Sequence, residues 1–370
     1  MAIYKLFPEK DLFISSEIPL GNTGRDEILE IAGHLDSVGK ANVSRILLQF
    51  SSVELKDLID NKVGENIEYS ASLCVYLADA YDIPLGYTIY GYPVSTGWDN
   101  GTGKYGDLPT NNTGASWFYR SVGGTNNWAD SNFETGVTGS FTPGTTGGGT
   151  WFTGSLGVNM ESIQSHGLYS SHDIELDVTN SVVQHYNETL ENNGFIIKLE
   201  DSLEYNTSAS INLKYYSRDT NTIYPPSLNI KWDDSLYSTG SLETLLTGIS
   251  TIGIINNSGK YKGSGKQRFR LAVRPKYPAR TFSTNSIYLK NYALPRESYW
   301  GLVDDNTEEM VVDFDVQFTK VSCDTSGPFF DTYMDGLQPE RYYRIVIKTD
   351  IDGSTTIVDS GNIFKVVRNG

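Results

Sequence analysis

Three tryptophans, Trp98, Trp117 and Trp128, stand inside one stretch rich in glycine, threonine and asparagine. If their rings lay exposed and coplanar they would form a stacking platform for sugar rings, and if buried they would order the stretch by packing. Farther along, Arg268, Arg270, Arg274, Lys276 and Arg280 fall within a run from Lys260 to Arg296 that holds ten Lys or Arg and no Asp or Glu. Such a concentration in an acidic chain would dock an acidic surface. Phe269 and Leu271 alternate with Arg268 and Arg270, so a strand there places its cations on one face and its apolar residues on the other. The histidines His34, His166, His172 and His185 match no zinc-ligand spacing. His166 and His172 with Asp173 could hold a metal, although a pair in a polar loop is usually solvated. Asp99, Asn100 and Asp107 among glycines could chelate calcium, but Asp, Asn and Gly are also what turns are made of. No nucleophile elbow, Walker loop or dinucleotide fingerprint follows a strand, and Gly147-Gly-Gly149 lacks the lysine and helix of a phosphate cradle. A pair of carboxylates for glycoside hydrolysis would be undetectable among 45 acidic residues. The residues therefore predict no enzyme, no cofactor and no metal.

The elements that must carry these residues read as strands, since apolar side chains recur with period two in short runs bounded by Gly, Asn, Asp and Pro. Ile46, Leu48 and Phe50 alternate in this way, as do Leu73, Val75 and Leu77; Ile174, Leu176 and Val178; Ile211 and Leu213; and Leu228, Ile230 and Trp232. Each run predicts a half-buried antiparallel strand. Helix is confined to short pieces: Ser51 and Glu54 form a capping box, and Asp177-Val-Thr179 could cap Val182 to Leu190. Between Gly97 and Thr150, 13 of 54 residues are Gly, and a segment with that composition and three tryptophans predicts an elaborated loop packed on its own sheet or on a partner.

Length sets the frame. At 370 residues the chain predicts two domains. A net charge of -16 disfavours binding to nucleic acid or to an anionic membrane. Cys74 and Cys323 fall in different predicted domains and suggest no disulfide framework. The opening residues lack a secretory pattern and no apolar run reaches the ~18 residues of a membrane span, so the expected place of synthesis is a cytoplasm.

Several segments, read together, resemble the DNRLRE-type domain, a jelly-roll β-sandwich related to carbohydrate-binding modules. They are Phe7-Pro-Glu-Lys-Asp11, Asn22-Thr-Gly24, Ser44-Arg-Ile-Leu-Leu-Gln-Phe50, Ala71-Ser-Leu-Cys-Val-Tyr76, Asp177-Val-Thr179, Asn193-Gly-Phe-Ile-Ile-Lys198, Tyr216-Ser-Arg-Asp219 and Pro225-Pro-Ser-Leu-Asn-Ile-Lys-Trp232. The long Gly/Trp insertion departs from the family pattern. Farther on, Gly336-Leu-Gln-Pro-Glu-Arg-Tyr-Tyr-Arg-Ile-Val-Ile-Lys348 resembles the corner of fibronectin type III and immunoglobulin-like sandwiches. There Leu337 and Pro339 would turn into a strand whose Tyr343 hydroxyl bonds back to the backbone, and Asp352-Gly353 would then close a hairpin.

The expected fold is all-β: a jelly-roll-like antiparallel sandwich over 1–233 with the insertion at 97–150, a linker or peripheral segment at 234–264, and an Ig-like sandwich over 265–370. The combination resembles virion structural proteins of contractile-tailed phages of marine cyanobacteria. That resemblance implies a non-enzymatic part of the tail, baseplate, neck or capsid exterior, assembled in the host cytoplasm. Its implied partners are other virion proteins with acidic surfaces and copies of itself, with no nucleic acid and no membrane. The alternative is an adhesin that binds a host glycan through the aromatic residues of the insertion.

Overall fold

A computed structural model describes the chain apart from residues 1, 36–40, 65–66, 122–125, 129–136, 139–146, 156, 168, 207–209, 279–289, 317 and 369–370. Strand far outweighs helix, and almost all pairings are antiparallel. The fold is all-β. Two compact units divide it: Leu6–Gly64 with Ser70–Asn229, and Ile230–Gly370 with Met1–Lys5 and Glu65–Tyr69.

The first unit is built on an eight-stranded sheet. Across it run Ser162–Gly167, Gly86–Pro93, Phe195–Leu199, Ala41–Phe50, Ile28–Leu35, Ile211–Tyr216 and Leu77–Tyr81, with Pro8–Ser15 also paired to Ala41–Phe50. Tyr69–Val75 and Ile174–Asp177 pair in a second, smaller sheet. The two sheets face each other closely, since a Cβ added at Gly91 would lie 2.7 Å from Leu176 Cδ1. Ile46, Leu48, Phe195, Ile197, Leu73, Val75 and Leu176 fill the space between them and are almost wholly buried.

One strand departs from the half-buried expectation. Ala41–Phe50 is buried along nearly its whole length, as is Phe195–Leu199. Alternation sends Ile46, Leu48 and Phe50 inward and leaves Val43, Arg45 and Leu47 on the outer face. That outer face carries a core of its own, because Leu12, Ile14, Val43, Leu47, Tyr92 and Ile196 cluster with Val94, Trp98, Ala115, Trp117, Trp128 and Trp151. The large sheet is therefore covered on both faces, and the Gly/Trp insertion is the second cover.

Short helices close the corners. Ser51 caps Ser52–Leu58 by accepting a hydrogen bond from Glu54 N. The helix Thr179–Tyr186 begins just after Asp177, whose carboxylate accepts from Thr179 N at 3.0 Å, earlier than the residues the sequence suggested. His185 on that helix is buried against Phe195, ring centroids 5.7 Å apart, and burial pushes its pKa down to about 4. Folded His185 stays neutral where the unfolded residue, near 6.5, takes up a proton. Its contribution to stability is thus complete above 6.5 and is lost as pH falls towards 4. The buried carboxyl of Asp11, pushed up to about 6 mainly by burial, acts in the opposite direction over the same range. The clean measurement is therefore the difference in urea-unfolding free energy between the parent and His185→Phe. Between pH 7 and pH 5 we expect that difference to change by roughly 2 kcal/mol in favour of the variant; a flat difference curve would show that His185 charges freely in the fold.

The second unit has two sheets. One orders Ser250–Ile254, Lys266–Pro275, Gly327–Tyr333 and Ser322–Asp324; the other orders Lys260–Lys262, Ser354–Val367, Tyr342–Ile351, Tyr299–Asp304 and Met310–Val312. Within the 234–264 stretch, expected as linker or periphery, Ser250–Ile254 and Lys260–Lys262 are thus members of these sheets, the latter parallel to Lys365–Val367. Between the sheets Trp300 stacks on Phe330 at 4.8 Å, Phe330 on Phe269 at 5.3 Å, and Phe269 meets Phe364 at 5.2 Å. Leu337 joins this core, and the Tyr343 hydroxyl donates to the Gln338 carbonyl at 2.9 Å across the turn that contains Pro339. Asp352 and Gly353, both at positive φ, turn the final hairpin.

Candidate functional site

The three tryptophans singled out in the insertion are engaged by the chain itself. Trp98, Trp117 and Trp128 are 2%, 7% and 2% exposed. Their indoles belong to the outer core of the sheet and form neither an open platform nor a surface for a neighbour. Trp98 Nε1 donates to the Asn193 carbonyl and Trp128 Nε1 to the Ser116 carbonyl, so each buried ring also satisfies its polar atom.

At the centre lies a buried cation that the sequence reading passed over. Arg45, 1% exposed, donates through Nε and Nη2 to both oxygens of Glu204, at 2.9 and 2.7 Å, and through Nη1 to the Gly148 carbonyl at 2.6 Å. Its guanidinium lies 5.3 Å from the centroid of Trp117 and 5.2 Å from that of Trp151. Lys198 pairs with the same Glu204 at 3.2 Å and with Asp201. Burial opposes the charge on Arg45, but the Glu204 carboxylate outweighs it and raises the pKa above its ordinary value. The arrangement clamps the far end of the insertion to the sheet, and glycine at 148 is required because a Cβ there would stand 2.6 Å from Arg45 Nη1. A charge set in the apolar run of Ala41–Phe50 was the one available signal, since a buried strand tolerates a cation only when it is paired.

The near end of the insertion is held by Asn22, itself 1% exposed. Its amide nitrogen donates to the Asn100 and Ala115 carbonyls, and its oxygen accepts from Gly24 N and Gly103 N. Asn100 answers, donating to the Gly24 carbonyl and accepting from Asp11 N. Asn100 is thus a hinge of turns, which is the reading favoured over calcium. The glycines are there because backbone meets backbone: a Cβ at Gly24 would lie 2.0 Å from the Asn100 carbonyl oxygen, and one at Gly103 2.3 Å from that of Asn22.

Where the bound ends leave space, two recesses open. One is a broad polar cleft lined by Arg25, Glu27, Thr102, Lys104, Asp107 and Asp219. The other is a narrower cavity of about 200 Å³ lined by Leu20, Asn112, Gly114, Ser116, Tyr119 and Ser121.

The cationic strand is likewise turned upon its own unit. Lys266–Pro275 buries Phe269, Leu271 and Val273 and presents Arg268, Arg270 and Arg274 outward, as the alternation implied. The acidic surface that Arg268 and Arg270 meet, however, is intramolecular. Arg268 forks onto Asp331 at 2.8 and 2.9 Å, and Arg270 onto Asp324 at 3.0 and 2.7 Å. Both guanidinium groups lie over Phe329, at 4.0 and 5.4 Å from its centroid. Hydrogen bonding to Arg270 holds the Asp324 carboxyl down at about 2. For Asp331 burial pushes upward, but Arg268 and Lys266 prevail and lower it. The reason is register, since Arg268 stands directly opposite Asp331 across the sheet. Lys276 carries its ammonium 5.7 Å from the Tyr277 centroid. Arg280 lies outside the described residues.

The histidines form no metal centre: among the described residues no three His, Cys, Asp or Glu side chains stand close enough to share an ion. His166 and His172 stack instead against Tyr87, at 4.7 and 5.7 Å. Among the described residues no helix is long and apolar enough to cross a membrane. A scan against protein-family models finds no match, and a search of the curated proteins finds no relative.

Proposed function

We propose that this chain is a non-enzymatic structural protein of a virion, a rigid part of the tail or baseplate, the neck or the capsid exterior, assembled in the host cytoplasm. The observation that supports it best is the two-sided burial of the large sheet. A segment with the composition of a linker is fastened at one end by Asn22 and at the other by Arg45, and four tryptophans fill the space beneath it. Side chains that could have met a substrate are used to stiffen the fold, which suits a component that bears strain between neighbours. The sequence resemblance to phage structural proteins points the same way.

We read the first unit as a DNRLRE-type jelly roll and the second as an immunoglobulin-like sandwich. The second reading is supported by the four- and five-stranded sheets, the buried Trp300 on a central strand and the Tyr343 to Gln338 hydrogen bond. With Arg268 and Arg270 internally paired, the contact for a neighbouring virion protein with an acidic surface, or for a second copy, centres on exposed Lys276. Exposed Ile249 and Tyr277 stand beside it, with Lys276 N bonded to the Ile249 carbonyl at 2.7 Å. The burial of Trp98, Trp117 and Trp128 removes support from an adhesin that works through those aromatics.

The test is location. Antibody raised against the protein should label intact, washed phage particles at one fixed site and detect the chain among their structural proteins. Particles that lack the protein while infected cells contain it would sink the proposal.

A further inference from the structure

Among the described residues, the cavity of about 200 Å³ in the first unit is lined by uncharged groups only: Leu20, Asn112, Gly114, Ser116, Tyr119 and Ser121. We propose that it binds one neutral sugar ring, as the exposed unit of a glycan. This site does not rest on the virion assignment, and it uses none of the tryptophans.

Size is the first argument. Pockets for drug-sized ligands run to roughly 300–1,000 Å³, so a cavity below that range admits a single ring and little more.

Lining chemistry is the second. Tyr119 provides an aromatic wall and Leu20, 51% exposed, an aliphatic one, suited to the C–H face of a pyranose. Around them the Asn112 amide and the hydroxyls of Ser116, Ser121 and Tyr119 can each both donate and accept. A sugar hydroxyl also does both, and it is matched better by such groups than by ions of fixed polarity. The Asn112 amide and the Tyr119 hydroxyl bond to no described residue, which leaves them available to a ligand. Among the described residues no cation lines the cavity, and the chain is at -16, so an anionic sugar is disfavoured. The polar cleft differs in this respect, because Arg25 and Lys104 stand in its lining, Lys104 paired with Glu27 at 3.2 Å.

Preorganisation is the third. Ser116 N donates to the Tyr119 carbonyl at 2.7 Å, and Tyr119 N to Ser116 Oγ at 3.3 Å. Trp128 supports the same turn from beneath through the Ser116 carbonyl at 2.7 Å. Tyr119 also bridges to Asn127, and Gly114 packs so closely on Gly101 that a Cβ would approach its nitrogen to 2.5 Å. Walls already fixed in place lose little entropy when a ligand enters.

Saturation-transfer NMR with the methyl glycosides of glucose, galactose, mannose and N-acetylglucosamine tests the site on the full chain. At least one glycoside should bind with millimolar affinity, as expected for a single ring. Tyr119→Ala and Asn112→Ala should each weaken it by about tenfold or more, with unchanged thermal melting. Tyr169→Ala, at an exposed position outside the cavity lining, should leave it intact. If Tyr119→Ala melts early, Asn112→Ala and Ser121→Ala carry the test. Absence of transfer from all four glycosides overturns the proposal, as does transfer that the cavity variants leave unchanged or that Tyr169→Ala reduces equally.

Discussion

Replacing Arg45 by methionine should cost the first unit about 3–5 kcal/mol, measured by urea unfolding followed through tryptophan fluorescence. The substitution keeps volume and removes charge, so the loss reads the uncompensated partner left behind. Glu204 is fully buried and, among the described residues, would keep only Lys198, at 3.2 Å. The Gly148 carbonyl would lose its donor, and the facing rings of Trp117 and Trp151 would lose the cation between them. Removing both charges together, as Arg45→Met with Glu204→Leu, should recover most of the loss, because a buried pair is costly to break and far less costly to replace. A single-variant loss below about 1 kcal/mol would mean that the clamp contributes little and that the apolar contacts alone hold the insertion.

Gly194→Ala should be the second large effect, at about 3 kcal/mol. Gly194 has φ +83, and a Cβ there would stand 2.1 Å from the Leu48 carbonyl oxygen and 2.8 Å from Gln49 Cα. Two costs add, since alanine is strained at that φ and the neighbouring strand must move. Gly106→Ala separates them. Its φ is +85 but nothing lies within 4 Å, so only the conformational cost of about 1 kcal/mol remains. Equal losses at the two positions would assign the whole effect to φ and none to the close approach.

Local rules made much of this fold legible. Alternation placed the strands around Ile174 and Ile211, Ser51 marked a helix start, and Asp352-Gly353 marked the last hairpin. Phe269 and Leu271 showed which face of their strand turns inward. What escaped depends on pairings far apart in the chain. Arg45 and Glu204 are 159 residues apart, and nothing near either one announces the other. The double burial of Ala41–Phe50 depends on a cover that follows about fifty residues later, whereas its alternating pattern by itself implies one wet face. The cationic run shows the same limit. Charge segregated along the chain is not segregated in space once antiparallel pairing sets Asp331 across from Arg268. The cavity beside Tyr119 was invisible for a similar reason, since its walls are contributed by turns whose spacing follows from the Asn22 hub.

The close backbone contacts of the insertion bear on how the protein can be engineered. A stretch this rich in glycine looks like the natural place to graft a peptide or a tag, yet most of its described glycines have the tolerance of an interior. A side chain at Gly147 would run into the Trp117 carbonyl oxygen at 1.8 Å, and one at Gly101 into Asn22 Oδ1 at 2.3 Å. Among the described glycines of the insertion the permissive one is Gly106, two residues before Leu108, which is 95% exposed. A graft placed there would ride outside the fold, whereas the same graft at Gly147 would be an insertion into the core.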